Sequence, residues 1–165
     1  MSDEQIQAGF DTFEGIRRRM EIRGEVKGVT VIDDFAHHPT AIRETLKALS
    51  RRFPERRVWA IFEPRSNTTR RNHFQIELAE AFLLAKRVVV AEVARLEQVP
   101  PEERLNPAQL MADIRAAGVE ADYLPTTDEI VAHVVPQAQA GDILCVLSNG
   151  GFDNIHQKLI NALEA

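Results

Sequence analysis

The sequence predicts an α/β fold, with a mostly parallel β-sheet covered by helices on both faces. Three observations predict it. Short apolar runs of strand length alternate with segments whose apolar residues recur at helical spacing. One run, Ile143-Leu144-Cys145-Val146-Leu147, is apolar throughout, as a central strand buried on both faces requires. Helix-start signals stand between the runs, either a proline or an Asn or Thr placed to cap.

The elements follow in order. The first dozen residues read as a short helix or frayed lead-in. Arg19 to Val26 alternates in strand fashion, and Lys27-Gly28 turns it back into Val29-Thr30-Val31-Ile32-Asp33, a β-hairpin. Pro39 opens a helix with Ile42, Leu46 and Leu49 on one face, and His38 is placed to cap it. Val58 to Phe62 is a buried strand. Phe74, Leu78 and Phe82 form the next helix face, and Arg87 to Val90 the third parallel strand. Asn106-Pro107 with Gln109 predicts a capping box, with Leu110, Ile114 and Ala117 as the buried face and Gly118 as the stop. Ala121 to Leu124 is a short strand. Thr126 with Glu129 predicts a second capping box ahead of Ile130 and Val134. Ile155, Leu159 and Leu163 make the closing helix. The tally is one hairpin strand, then five strands separated by four helices, then a helix.

The chain has 165 residues, 44% of them hydrophobic and 27% charged, enough for one domain with its own core. No stretch reaches the ~18 apolar residues of a membrane span, and Met1-Ser2-Asp3-Glu4 lacks the basic start of a secretion signal. The single cysteine, Cys145, suits a reducing cytosol and reads as a small core residue. The net charge of -5 is uneven, since residues 43–71 carry 9 basic and only 3 acidic side chains. That pattern disfavours general nucleic-acid binding and favours one anionic small molecule. Arg51, Arg52, Arg56 and Arg57 read as a solvated helix end.

In parallel sheets ligands bind beyond the carboxyl ends of the strands, so the residues there carry the chemistry. The first such end is Asp33-Asp34-Phe35-Ala36-His37-His38-Pro39. Two carboxylates and two imidazoles could hold a divalent metal in a stand-alone hydrolase, with Glu63, His73 and Glu92 as further ligands. Alternatively one Asp accepts from a ribose diol beside a His. The second end runs Phe62-Glu63-Pro64-Arg65-Ser66-Asn67-Thr68-Thr69-Arg70-Arg71, seven consecutive polar residues after the proline, three of them guanidinium groups. Such a loop suits a ligand with several carboxylates. The last end, Ser148-Asn149-Gly150-Gly151, either offers backbone N–H groups to an anion or is a tight turn needing positive φ. No G-x-x-x-x-G-K-[ST], G-x-G-x-x-G or G-x-S-x-G occurs, so the chain lacks a P-loop, a dinucleotide fingerprint and a nucleophile elbow.

Asp33 to Thr40, Phe62 to Thr68 and Leu147 to Phe152 together resemble the C-terminal domain of the Mur ligases, most nearly the muropeptide-ligase branch. The resemblance covers residues 12–163. It implies a Rossmann-like three-layer sandwich whose six-stranded sheet has one antiparallel strand. It implies that residues 1–18 lead in from the end of a central ATPase domain and that 19–165 form the substrate-binding domain. The enzyme so implied is a cytoplasmic bacterial ligase of peptidoglycan recycling. It uses ATP and Mg2+, held mainly by the central domain, to join L-Ala-γ-D-Glu-meso-diaminopimelate to UDP-N-acetylmuramate. Partners are those substrates and the N-terminal and central domains, with no nucleic acid and no membrane. Carried over residue by residue, Arg19, Asp34 and His37 lie at the nucleotide. Arg65, Ser66, Asn67, Thr69, Arg70, Arg71, Ser148, Asn149, Gly150 and Asp153 face the incoming peptide. No catalytic residue and no metal ligand is carried over, and the domain alone is expected to be inactive.

Two departures bear on the acceptor. The L-alanine-adding relatives read His-Arg-Tyr-Thr where this chain has Arg65-Ser66-Asn67-Thr68, which favours a peptide acceptor over free L-alanine. The diaminopimelate-adding relatives carry Asp-Asn-Pro-Arg where this chain has Glu92-Val93-Ala94-Arg95. The L-alanine-adding ligase remains the alternative within the family.

Overall fold

A computed structural model describes residues 2–12 and 16–165. Residues 1 and 13–15 of the expected lead-in lie outside the described residues. The elements are α1 (Asp3–Asp11), β1 (Glu21–Val26), β2 (Val29–Asp34), α2 (Pro39–Arg52), β3 (Val58–Phe62), α3 (Gln75–Ala81), β4 (Arg87–Ala91), α4 (Pro107–Ala116), β5 (Glu120–Leu124), α5 (Thr127–Val134), β6 (Ile143–Leu147) and α6 (Ile155–Glu164). The predicted alternation of strands and helices holds throughout. No described helix is long and apolar enough to cross a membrane.

The sheet order is β1-β2-β6-β3-β4-β5. Only β1 is antiparallel, paired to β2 through the Lys27-Gly28 turn, whose φ angles of 50° and 81° match a type I′ hairpin. The predicted strand from Arg19 starts later, at Glu21, because Arg18 and Met20 adopt φ of 56° and 47°. β6 inserts between β2 and β3, so Asp34 and Phe62 both register against Leu147. The carboxyl ends of these three strands therefore lie side by side.

Alternation along the strands builds two cores. Ile32, Ala60, Phe62, Val88, Val90 and Cys145 face α2, α3 and α4. Val31, Trp59, Ile61, Val89, Leu144 and Val146 face α5 and α6. Burying a Leu or Ile side chain fully is worth roughly 1.5–3 kcal/mol, so these faces fix which way each strand lies.

Caps set the helix starts. The His38 Nδ1 accepts the Thr40 N–H at 3.3 Å, as expected. Thr126 and Glu129 close both halves of their box. At α4 only half of the predicted box forms. The Asn106 side chain accepts the Gln109 N–H, but Gln109 turns to Asp113, and the Asn106 backbone N–H is taken by Gln75 at 2.9 Å. A partner from another helix has displaced the local one. Ala117 ends α4 exposed, and Met111 fills the core in its place.

Arg56 and Arg57 are not a solvated helix end. Arg57 donates two bonds of 2.7 Å to the buried Asp142, which also accepts from Trp59 Nε1 and the Gln139 N–H. Arg56 donates to the carbonyls of Gly28, Gly141 and Asp142 and to Thr30 Oγ1. Together they fasten the amino ends of β2, β3 and β6. Arg51 and Arg52 are exposed, as expected.

Candidate functional site

At the end of β2 successive carboxylates point to opposite faces of the sheet. Asp34 points toward α2. Its Oδ1 accepts the Ala36 N–H at 2.8 Å and the Thr45 hydroxyl at 3.2 Å, and its Oδ2 accepts the Met20 N–H at 2.8 Å. A carboxylate offers about four acceptor positions, so one is left on Oδ2. Arg19, Asp34, Phe35, Ala36, His37 and Thr45 line one depression. The Arg19 guanidinium lies 5.1 Å from the Phe35 ring centre, and His37 Nδ1 sits 2.8 Å from the Phe35 carbonyl. The structure thus brings together the three residues predicted for the nucleotide.

Asp33 points toward α6 and is buried. Arg18 Nε lies 3.3 Å from it, Arg23 Nη1 3.6 Å and His156 Nε2 3.3 Å. Burial pushes the Asp33 carboxyl up, but His156 and then Arg18 outweigh it and hold the group below its ordinary value. The two aspartates therefore cannot share a metal with His37 and His38. His38 is spent on its cap, and among the described residues no three His, Cys, Asp or Glu side chains cluster to hold a metal. The metal-dependent hydrolase reading has no support.

The ends of β3 and β6 are tied together. Ser148 Oγ donates to Glu63 and accepts the Gly150 N–H at 2.8 Å. Arg65 Nη1 lies 3.5 Å from the other Glu63 oxygen. Its side chain crosses Gly150 so closely that a Cβ there would meet Cδ at 2.6 Å and Nε at 2.8 Å. Gly150 is thus a glycine for close approach. The tight-turn reading fails, because positive φ falls instead on Phe152, Asp153 and Asn154. The anion-cradle reading fails at Gly150, whose N–H is engaged.

Within the arginine loop, Ser66 Oγ accepts the Thr69 N–H at 3.1 Å and pairs with its hydroxyl at 2.9 Å. Arg70 donates to Asn67, to Gln98 at 3.2 Å and to the Arg95 carbonyl at 3.2 Å, while its Nε is buried without a partner. Asn149 Oδ1 is likewise buried and unpartnered. Two expected members are engaged elsewhere. Arg71 pairs with Glu103, and Asp153 pairs with Thr127 and Lys158 at 2.6 Å each.

Sequence reasoning passed over Arg18 and His156, weighed Glu63 as a metal ligand, and weighed Asp33 as a metal ligand or, like Asp34, as a ribose acceptor. A signal for Arg18 was present. Arg18 stands fifteen residues before Asp33, the same spacing that separates Arg19 from Asp34, and there it becomes a direct contact.

Residues 18–150 match the family described as Mur ligase, glutamate ligase domain. The chain is 40% identical over 153 residues to the UDP-N-acetylmuramate–L-alanyl-γ-D-glutamyl-meso-2,6-diaminoheptandioate ligase of Escherichia coli, covering 92% of this chain and 31% of that protein. It is 34% identical over 165 residues to the UDP-N-acetylmuramate–L-alanine ligase of Salinibacter ruber, covering 99% and 34%. The solved murein peptide ligase of Psychrobacter arcticus superposes with a TM-score of 0.78 at 38% identity, covering 95% of this chain and 32% of that one. The chain spans about a third of the length of the curated relatives it matches.

Proposed function

Because the chain belongs to the Mur ligase family through its glutamate ligase domain, we propose that it binds the incoming peptide and closes over ATP in a ligase joining L-Ala-γ-D-Glu-meso-diaminopimelate to UDP-N-acetylmuramate. The carrying observation is the pairing of Arg65 with the Ser148–Gly150 loop across two neighbouring strand ends. A guanidinium held there suits a peptide bearing several carboxylates. The unpartnered atoms support the same ligand class, since Arg70 Nε is a donor for a carboxylate and Asn149 Oδ1 an acceptor for an amine or amide.

For the nucleotide, the free acceptor position on Asp34 Oδ2 fits one ribose hydroxyl, with Arg19 and His37 at the rim of the same depression. Bound ATP supplies the phosphoryl group that activates the muramate carboxyl. The phosphates and Mg2+ are assigned to the central domain. What this chain contributes is orientation, setting the acceptor amine against the activated carboxyl once the domains close. By itself it turns over no ATP, and its setting is the bacterial cytoplasm.

Similarity to L-alanine-adding ligases favours one competing acceptor, free L-alanine. Phosphate release by the full-length enzyme with ATP and UDP-N-acetylmuramate separates the two. Turnover with tripeptide and not with L-alanine is expected, and the converse would overturn the acceptor assignment.

A further inference from the structure

Arg18 stands behind the peptide side of the site rather than in it. Its Nη2 donates to the Ser148 carbonyl at 2.6 Å and the Gly150 carbonyl at 2.9 Å, while its Nε lies 3.3 Å from Asp33. One planar guanidinium thus ties two carbonyls of the β6 loop to a buried carboxylate at the end of β2. The brace is itself held. Asp33 is also contacted by Arg23 and His156, the Arg18 N–H donates to Glu21 at 2.8 Å, and the Arg18 carbonyl accepts the Phe35 N–H at 2.9 Å. Arg18 keeps a left-handed φ of 56° within this frame.

What the brace fixes is Gly150, the residue Arg65 lies across, and Asn149, which stands between the two tethered carbonyls in the chain and whose side-chain oxygen is buried without a partner. We propose that Arg18 is a positioning residue for peptide binding, acting through Gly150 to set where the Arg65 guanidinium stands. The inference rests on the assignment of the Arg65 loop to the peptide. It adds a residue that the resemblance did not carry over, and it predicts coupling between two arginines that meet only through Gly150.

The test uses the full-length ligase with Arg18→Lys, Arg65→Ala and the double variant. A lysine ammonium cannot span both carbonyls and Asp33 in one plane. Arg18→Lys is expected to raise the tripeptide KM about tenfold, with the ATP KM and kcat within about twofold. The double variant is expected to match Arg65→Ala alone, because Arg18 acts through Arg65. Additive effects, or a shift in the ATP KM instead, would overturn the proposal. If Arg65→Ala raises the tripeptide KM and Arg18→Lys does not, this inference alone falls. If Arg65→Ala leaves it unchanged, the peptide assignment falls and this inference with it. Should Arg18→Lys fail to fold, Asp33→Asn releases the same guanidinium from its other end and is held to the same outcomes.

Discussion

Arg65 lies across the bare Cα of Gly150, in space where a Cβ would come within 2.6 Å of its Cδ. The obstructing atoms belong to a flexible side chain, so Gly150→Ala should be relieved by swinging Arg65 away rather than by moving backbone. The expected result is a split between stability and binding. Unfolding free energy should fall by no more than about 1 kcal/mol, while the tripeptide KM of the full-length enzyme rises about tenfold. Urea melts and steady-state kinetics on one variant check both halves. A large stability loss with unchanged KM would show that the loop, and not Arg65, absorbs the clash.

Asp33 makes stability depend on acid in a defined direction. Its folded carboxyl titrates below the ordinary value because His156 and Arg18 outweigh the penalty of burial. A depressed carboxyl contributes stability that is fully present above its unfolded pKa of about 3.9 and is lost as pH falls through the folded value. Asp33→Asn should therefore destabilise the fold at pH 7, where it leaves His156 and Arg18 without their buried carboxylate, and progressively less below about pH 4. Denaturant melts of both proteins at pH 7 and pH 3 measure the difference, and a constant gap would remove Asp33 from the account.

The two arginines at the ends of the loop should not behave alike. Arg65 bears on Gly150, whereas Arg71 is paired with Glu103 and joined by a backbone bridge to Arg104. Arg65→Ala is expected to raise the tripeptide KM strongly, and Arg71→Ala by less than about threefold. Asp34→Asn should instead raise the ATP KM, with some loss of stability because Asp34 also receives two backbone N–H groups. Equal effects of the two arginines on tripeptide KM would mean that Arg71 leaves Glu103 when peptide binds.

Local signals in the chain carried most of the fold. Pro39 and Pro107 start helices where expected, and the box of Thr126 and Glu129 closes because both partners lie within one turn. Misreadings arose where a distant residue supplied the partner. Gln75 replaced half of the Asn106 box from 31 positions away, and Asp142 claimed Arg57 from 85. Strand order was invisible for the same reason, since insertion of β6 between β2 and β3 is decided by packing of helices on two faces. At the site, residue types at the strand ends were legible, but their division was not. Nothing local says that Asp33 faces α6 and Asp34 faces α2 until the register of β2 is known.

Asp142 tests whether the frame at the amino ends of the strands is separate from the site at their carboxyl ends. Its carboxylate is buried and receives Arg57 Nε and Nη2, Trp59 Nε1 and the Gln139 N–H. Pairing with it raises the Arg57 guanidinium further above its usual value. Asp142→Ala leaves the indole N–H, the Gln139 amide and a half-buried cation without an acceptor, at a cost of roughly 3–5 kcal/mol. Arg57→Ala strands the carboxylate but leaves the neutral donors paired, so it should cost less. The contact lies at the amino ends of the strands, away from the loop of Arg65 to Arg71, so any variant that stays folded should keep the tripeptide KM of the full-length enzyme within about twofold. Thermal melts together with KM measurements distinguish this frame from the site. A KM shift as large as that of Arg65→Ala would mean that strain at the amino ends of β3 and β6 reaches their carboxyl ends.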